Sequence, residues 1–166
     1  NLTIGSTNSS TVTFENGSPT GHMYPAFEAY LSSNQSISDS TFTKVEFDTE
    51  IFDTDGNYDN STNYRFTPTV AGKYAVYAQT YCDGGSNASV INFGNAIYKN
   101  GSSYIRTFYN YETNRPRNQN LQISGIVDMN GSSDYLEIFV WIKTSNDRII
   151  QAGTKDTLFS AYRIGA

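Results

Sequence analysis

Apolar residues recur at every second position along most of the chain from Ala26 onward. A period of two is the pattern of a β-strand that buries one face, whereas a helix would repeat its apolar residues at three- and four-residue spacing. The pattern therefore predicts an all-β chain. The alternating segments are Phe27/Ala29/Leu31, Val45/Phe47/Ile51, Tyr74/Val76/Ala78, Ile91/Phe93/Ile97, Leu121/Ile123/Val127, Leu136/Ile138/Val140/Ile142 and Leu158/Tyr162/Ile164.

Turn residues separate the alternating segments. The pairs Asp55-Gly56, Asn100-Gly101 and Asn130-Gly131 and the triplet Asp83-Gly84-Gly85 supply residues that tolerate positive backbone angles. Their spacing is typical of a β-sandwich or a barrel. We expect a two-sheet architecture in which each strand turns back on its neighbour.

The first 25 residues differ from the rest in composition. They are rich in Gly, Ser, Thr, Asn and Pro and alternate only weakly, at Val12 and Phe14. Such a stretch is typical of a linker. We predict a linker or the end of a stalk over residues 1–25 and one folded head domain over residues 26–166.

The strand segment from Tyr135 to Ile142 has two apolar faces. Its even-numbered residues are aliphatic, but Tyr135, Phe139 and Trp141 occupy the other face. A two-sheet sandwich covers only the inner face of each strand, so something else must cover the second one. These three residues are candidate contacts to a neighbouring subunit, and the alternative is a covering loop from the same chain.

The charge of the chain and the length of its apolar runs exclude two kinds of partner. Only 16% of the residues are charged, and the net charge is −5, so the basic surface that attracts nucleic acid is absent. The longest apolar run, Ile138 to Ile142, is far too short to cross a bilayer. We therefore expect neither nucleic acid as a partner nor insertion into a membrane.

The residues also argue against an enzyme, a metal site or a cofactor. The only histidine, His22, lies in the predicted linker, and a single cysteine, Cys82, excludes an internal disulfide. Asp53 to Asp59 places oxygen-bearing side chains at alternate positions, as calcium loops do, but its glycine falls in the wrong register. A turn between strands explains this segment better, and we expect no catalytic residue, no metal and no cofactor.

One set of spaced residues resembles a known family. Phe47, Asp53, Tyr58 and Phe66, followed by Gly72-Lys73-Tyr74, are similar in order and spacing to the signature of the complement C1q globular head, part of the tumour-necrosis-factor-like superfamily. The Tyr58 to Phe66 interval is one residue longer than the usual pattern. Three further segments resemble the first strand, a mid-domain turn and the last strand of this family: Ala26 to Tyr30, Tyr98 to Gly101, and Phe159 to Tyr162.

The resemblance implies a ten-stranded antiparallel jelly roll assembled as a homotrimer. It also implies a non-enzymatic binding module. Such heads occur in bacteriophage fibres with a similar neutral composition, so we expect a phage fibre tip or virion-surface protein that contacts the host. Two alternatives stay open: a capsid decoration trimer that stabilises the shell, and a secreted adhesin or lectin. The expected location is the virion surface or the extracellular space.

The segment from Phe108 to Asn118 is the best candidate for a ligand-binding loop. It interleaves aromatic residues with arginines and amides, a mixture suited to recognising a host glycan or protein. The candidate ligand-binding residues are Tyr109, Tyr111, Arg115 and Arg117. The alternative is that Phe108 and Tyr109 finish a strand and the rest is a solvated connection.

Overall fold

The computed structural model describes residues 25–87 and 89–166. The predicted linker, residues 1–25 with His22, therefore lies outside the described residues except for Pro25. Across the described ranges the chain is built from β-strands and turns, as the period-two pattern predicts, and contains no helix. Accordingly, none of its elements is a helix that could cross a membrane.

Eight long strands and five two-residue strands make up the described part of the chain. In chain order they are β1 (Ala26–Tyr30), β2 (Gln35–Ser36), β3 (Thr43–Lys44), β4 (Thr49–Asp53), β5 (Tyr58–Asp59), β6 (Arg65–Phe66), β7 (Gly72–Asp83), β8 (Val90–Lys99), β9 (Ser102–Asn110), β10 (Asn118–Met129), β11 (Leu136–Thr144), β12 (Ile149–Ile150) and β13 (Leu158–Gly165).

The strands form two antiparallel sheets packed face to face. The first sheet runs in the order β10, β7, β13, β1, β4, with β12 beside the end of β7 and β2 beside β12. The second runs β5, β6, β11, β8, β9, with β3 beside β11. The chain crosses between the sheets repeatedly, from β7 to β8, from β9 to β10 and from β10 to β11. This is the predicted two-sheet jelly roll.

The residues that carry the family resemblance build the core at one end of the sandwich. Phe47, Phe66 and Tyr74 are fully buried and Tyr58 nearly so. The Tyr58 ring lies 4.6 Å from the ring of Phe27, and its hydroxyl donates to the Phe47 carbonyl at 3.0 Å. Their spacing in the sequence therefore reflects packing, since each is a large side chain that faces the same interior.

The carboxylates of the calcium-like segment close turns. One oxygen of Asp53 accepts the Tyr58 backbone N–H at 2.7 Å, and Asp59 accepts the Thr62 N–H at 2.9 Å and the Asn63 amide at 2.7 Å. These bonds are the Asx-turn pattern of a structural loop. Over residues 25–87 and 89–166, no three His, Cys, Asp or Glu side chains gather as metal ligands would.

Candidate functional site

The loop of residues 111–117 joins two strands that belong to different sheets. It leaves β9, at the edge of the second sheet, and enters β10, at the edge of the first. Backbone hydrogen bonds fix it at both ends, from Tyr111 N–H to the Ile91 carbonyl at 2.8 Å and from Val90 N–H to the Pro116 carbonyl at 3.1 Å. The candidate ligand-binding residues therefore lie on an anchored connection.

The two tyrosines of the candidate set lie together. Their rings are parallel within 12° and their centres are 6.2 Å apart. Tyr109 is half exposed, whereas Tyr111 packs against the core, and burial raises the pKa of its phenol. Tyr111 thus supports the loop from beneath, and Tyr109 is the ring that a ligand can reach.

The two arginines of the candidate set brace the loop. Arg115 Nε donates to the Tyr111 carbonyl at 3.4 Å, and Arg117 Nε lies 3.3 Å from the carboxylate of Asp83. The same carboxylate also accepts the Gln151 amide at 2.6 Å. Each guanidinium thus has one contact within the chain, through its Nε, and Arg117 remains 53% exposed.

Beside this loop, a groove separates β9 from β10. Its volume is about 370 Å³, within the range of small-ligand sites. Sequence reasoning missed it because its walls come from edge strands of two different sheets. The signal in the sequence was the run of amides that follows the loop. The lining residues are Thr107 and Tyr109 from β9 and Gln119, Asn120, Leu121 and Gln122 from β10.

The three candidate trimer contacts lie on the outer face of the second sheet, half covered by their own chain. Phe139 stacks on Tyr98 with ring centres 4.0 Å apart, and the Phe108 ring lies 5.0 Å from that of Trp141. The Arg65 guanidinium sits 4.5 Å from the centre of the Tyr135 ring. These contacts come from neighbouring strands of the same sheet and not from a covering loop, and the trimer role of the three residues stays a prediction.

A second apolar surface, which we call the outer patch, lies on the outer face of the first sheet. Ile126, Ala75 and Tyr162 stand side by side on β10, β7 and β13. Ile126 is 58% exposed and Tyr162 44% exposed, and a hollow of about 290 Å³ opens beside them. Ile164, two residues beyond Tyr162, extends the patch along β13.

β13 carries apolar residues on both of its faces. Leu158, Tyr162 and Ile164 alternate as the sequence suggested, yet the residues that enter the core are Phe159 and Ala161. Tyr162 and Ile164 instead face outward, in the outer patch.

The lone cysteine lacks the surroundings of a nucleophile. Cys82 is fully buried on β7, and burial together with the nearby Asp83 carboxylate raises the pKa of its thiol to about 12. A thiol that stays protonated at neutral pH neither attacks a substrate nor binds a metal readily. Cys82 therefore acts as a small apolar residue of the core.

Comparison with solved structures identifies the fold. The chain is similar to murine APRIL (crystal structure at pH 8.5; 12% identity, TM-score 0.60, 84% of this chain and 98% of that one). It is also similar to the globular domain of zebrafish complement 1qA (12%, 0.59, 84% and 96%) and to Eiger TNF from S. frugiperda (9%, 0.58, 85% and 93%).

No family model matches the sequence. No curated protein sequence matches it either. At identities this low the structural likeness establishes the fold alone, and it confirms the predicted C1q/TNF-like jelly roll.

Proposed function

We propose that this chain is a non-enzymatic binding module that works as a homotrimer on the surface of a virion, at the tip of a phage fibre that contacts the host. The fold supports the binding role, since the structural neighbours are murine APRIL, the globular domain of zebrafish complement 1qA and Eiger TNF. The neutral composition, rich in Asn, Ser, Thr, Gly and Tyr, supports the virion location.

The outer patch is the observation that carries the trimer. Ile126 and Tyr162 are large apolar side chains, and the small residue Ala75 lies between them. The three residues leave a hollow on the outer face of the first sheet. Exposed contiguous apolar surface of this kind marks an association site. We assign its occupant as a second copy of this chain, because the sequence resemblance implies threefold assembly and a ring closes when each copy offers one patch to the next.

Light scattering of the purified chain tests the assembly. We expect a mass of three chains for the parent protein and of one chain for the double variant Ile126→Asp with Tyr162→Asp. The variant should remain folded by circular dichroism, because both side chains are exposed in the single chain. A monomeric parent at micromolar concentration, or a double variant that stays trimeric, would contradict the proposal.

The virion location needs a separate measurement. Peptides of this chain should appear in purified particles in proportion to the fibre proteins when those particles are analysed by mass spectrometry. Peptides in amounts that match the capsid protein would favour a decoration trimer, and their presence only in the particle-free medium would favour a secreted adhesin.

A further inference from the structure

The groove between β9 and β10 lies where the interior of the sandwich changes character. Farther along β10 the inward-facing residues are apolar, such as Ile123 and Val127, but at the loop end Gln119 replaces them. On β9, Ile105 packs on the core, whereas Thr107 and Tyr109 line the groove. The sandwich thus ends in a polar layer.

A fully buried amide stands directly behind this layer. Asn95 on β8 is paired in register with Thr107, and its Nδ2 donates to the Leu121 carbonyl at 3.3 Å, which links the second sheet to the first. Within the described residues its Oδ1 has no hydrogen-bond partner. Burying an amide in this state is costly, so packing alone does not explain an asparagine here.

The groove offers only neutral recognition groups. None of its lining residues is charged, and they present amides, a threonine hydroxyl and the phenol of Tyr109. Gln119 Nε2 donates to the Asn120 carbonyl at 2.8 Å, whereas Gln122 Nε2 bonds Gln79 Oε1 at 3.0 Å on the outer face of the first sheet. The Gln119 amide is therefore positioned before any ligand arrives, which lowers the ordering cost of binding.

The aromatic part of the site is also fixed. Tyr109 is 50% exposed, and Tyr111, which packs on the core, supports its ring from one side. A ring held in this way offers a rigid apolar platform with a polar tip. An aromatic platform beside neutral donors and acceptors suits a molecule that has both an apolar face and many hydroxyl groups.

We propose that the groove between β9 and β10 binds an uncharged carbohydrate, with Tyr109 packing against a sugar ring, and with Thr107, Gln119 and the β10 edge at Asn120 and Gln122 bonding its hydroxyls. The assignment gives the proposed binding module a site and a ligand class, and in that sense it rests on the proposed function. None of the residues that line the groove is charged, so the groove suits an uncharged sugar better than an acidic one.

The test uses the intact chain on an array of neutral hexose and N-acetylhexosamine oligosaccharides printed beside sialylated and sulfated counterparts. We expect retention of neutral glycans, followed by calorimetry with the best neutral oligosaccharide in solution. Tyr109→Ala should weaken binding about tenfold or more, as removal of a central aromatic anchor does. Tyr109→Phe, which keeps the platform, should weaken it less.

Tyr104→Ala is the matched control, because Tyr104 lies on the same strand and is 51% exposed, yet does not line the groove. It should bind as the parent does. Failure to retain any neutral glycan, binding of acidic glycans alone, or equal losses for Tyr104→Ala and Tyr109→Ala would overturn the assignment. Light scattering keeps the two proposals apart: a trimer that binds no neutral sugar disproves the groove site alone, and a monomer that binds one disproves the trimer alone.

Discussion

The outer faces of the two sheets carry the same arrangement of side chains with different outcomes. On the second sheet, Trp141 and Phe108 flank Gly94 across three strands, and their rings meet 5.0 Å apart. On the first sheet, Ile126 and Tyr162 flank Ala75 in the same way, but the two side chains stay apart and a hollow opens beside them. The aromatic pair of the second sheet meets within the chain although Phe108 remains 47% exposed, whereas a hollow opens at the matching place on the first sheet.

The ion pairs of the two sheets differ in their exposure to solvent. On the second sheet Lys44 Nζ lies 2.5 Å from the carboxylate of Glu137, whose side chain is only 7% exposed. On the first sheet Lys73 and Asp128 form a 3.2 Å pair that is largely exposed on both sides. The Glu137 carboxylate on the second sheet is therefore held within the chain, and we infer that the Lys44–Glu137 pair acts in folding.

Removal of Lys44, the cation that pairs with the nearly buried Glu137, should give the largest effect on stability. Lys44→Met leaves the Glu137 carboxylate nearly buried without its partner and also removes the bond from Lys44 Nζ to the Asn63 carbonyl. We expect a loss of about 2 kcal/mol, less than for a fully buried pair because Lys44 is partly solvated. Urea denaturation at neutral pH measures it.

Lys73→Met is the matched change on the first sheet. Because an exposed pair contributes little, this variant should lose at most about 0.5 kcal/mol. Equal losses for the two variants would remove the contrast between the faces.

The sequence predicted the strands and the core far better than it predicted which face is covered. Phe27, Tyr74 and Val76 are buried as their alternation indicated. The outward direction of Tyr162 and Ile164 could not be predicted, since β13 is apolar on both faces and only the packing of the other sheet decides which one enters the core. The cover over β11 likewise comes from strands distant in sequence.

The candidate site was predictable only in part. The alternation of aromatic residues, arginines and amides singled out the connection between β9 and β10, and Tyr109 lies exposed beside a groove there, but its ligand role stays a prediction. The roles of Arg115 and Arg117 depend on the Tyr111 carbonyl and on Asp83, contacts that form only once the loop is closed. Asn95 lies between Phe93 and Ile97 on the alternating face of its strand, and it is fully buried in the structure.

A methyl group added at Gly94 should disturb the contact between Phe108 and Trp141 moderately. A Cβ at Gly94 would clash with the Phe108 ring and lie 2.9 Å from the Thr107 carbonyl oxygen, so Gly94→Ala should push Phe108 away from Trp141. We expect a loss of about 1 kcal/mol, typical of mild overpacking. Because Trp141 is the only tryptophan, its fluorescence should shift to longer wavelength as the cover is lost.

Gly165→Ala is the control in the first sheet, where an added Cβ would meet open space. It should leave both the stability and the emission unchanged. A Gly94→Ala protein with the parent's emission would show that the Phe108 contact does not shield Trp141.

Acid should have the smallest effect on the free energy of unfolding. Protonation at Asp59 in the second sheet should lower that free energy, and protonation at Glu50 in the first sheet should raise it. In the second sheet, hydrogen bonds from Thr62, Asn63 and Ser61 hold the pKa of Asp59 below its ordinary value of about 3.9. Burial and the nearby Asp53 raise the pKa of Glu50 in the first sheet. A depressed pKa contributes stability that is present above the ordinary value and is lost as the pH falls below it.

Asp59→Asn should therefore be slightly less stable than the parent at pH 7, and the difference should shrink as the pH falls from about 4 toward 2. Urea denaturation at a series of pH values checks this, because the curves of stability against pH for parent and variant must converge on the acid side. Hydrogen exchange at pH 7 would locate the change at the turn after β5, since the amides of Thr62 and Asn63 lose a charged acceptor in Asp59→Asn. Parallel curves over this range would mean that the Asp59 carboxylate does not stabilise the turn.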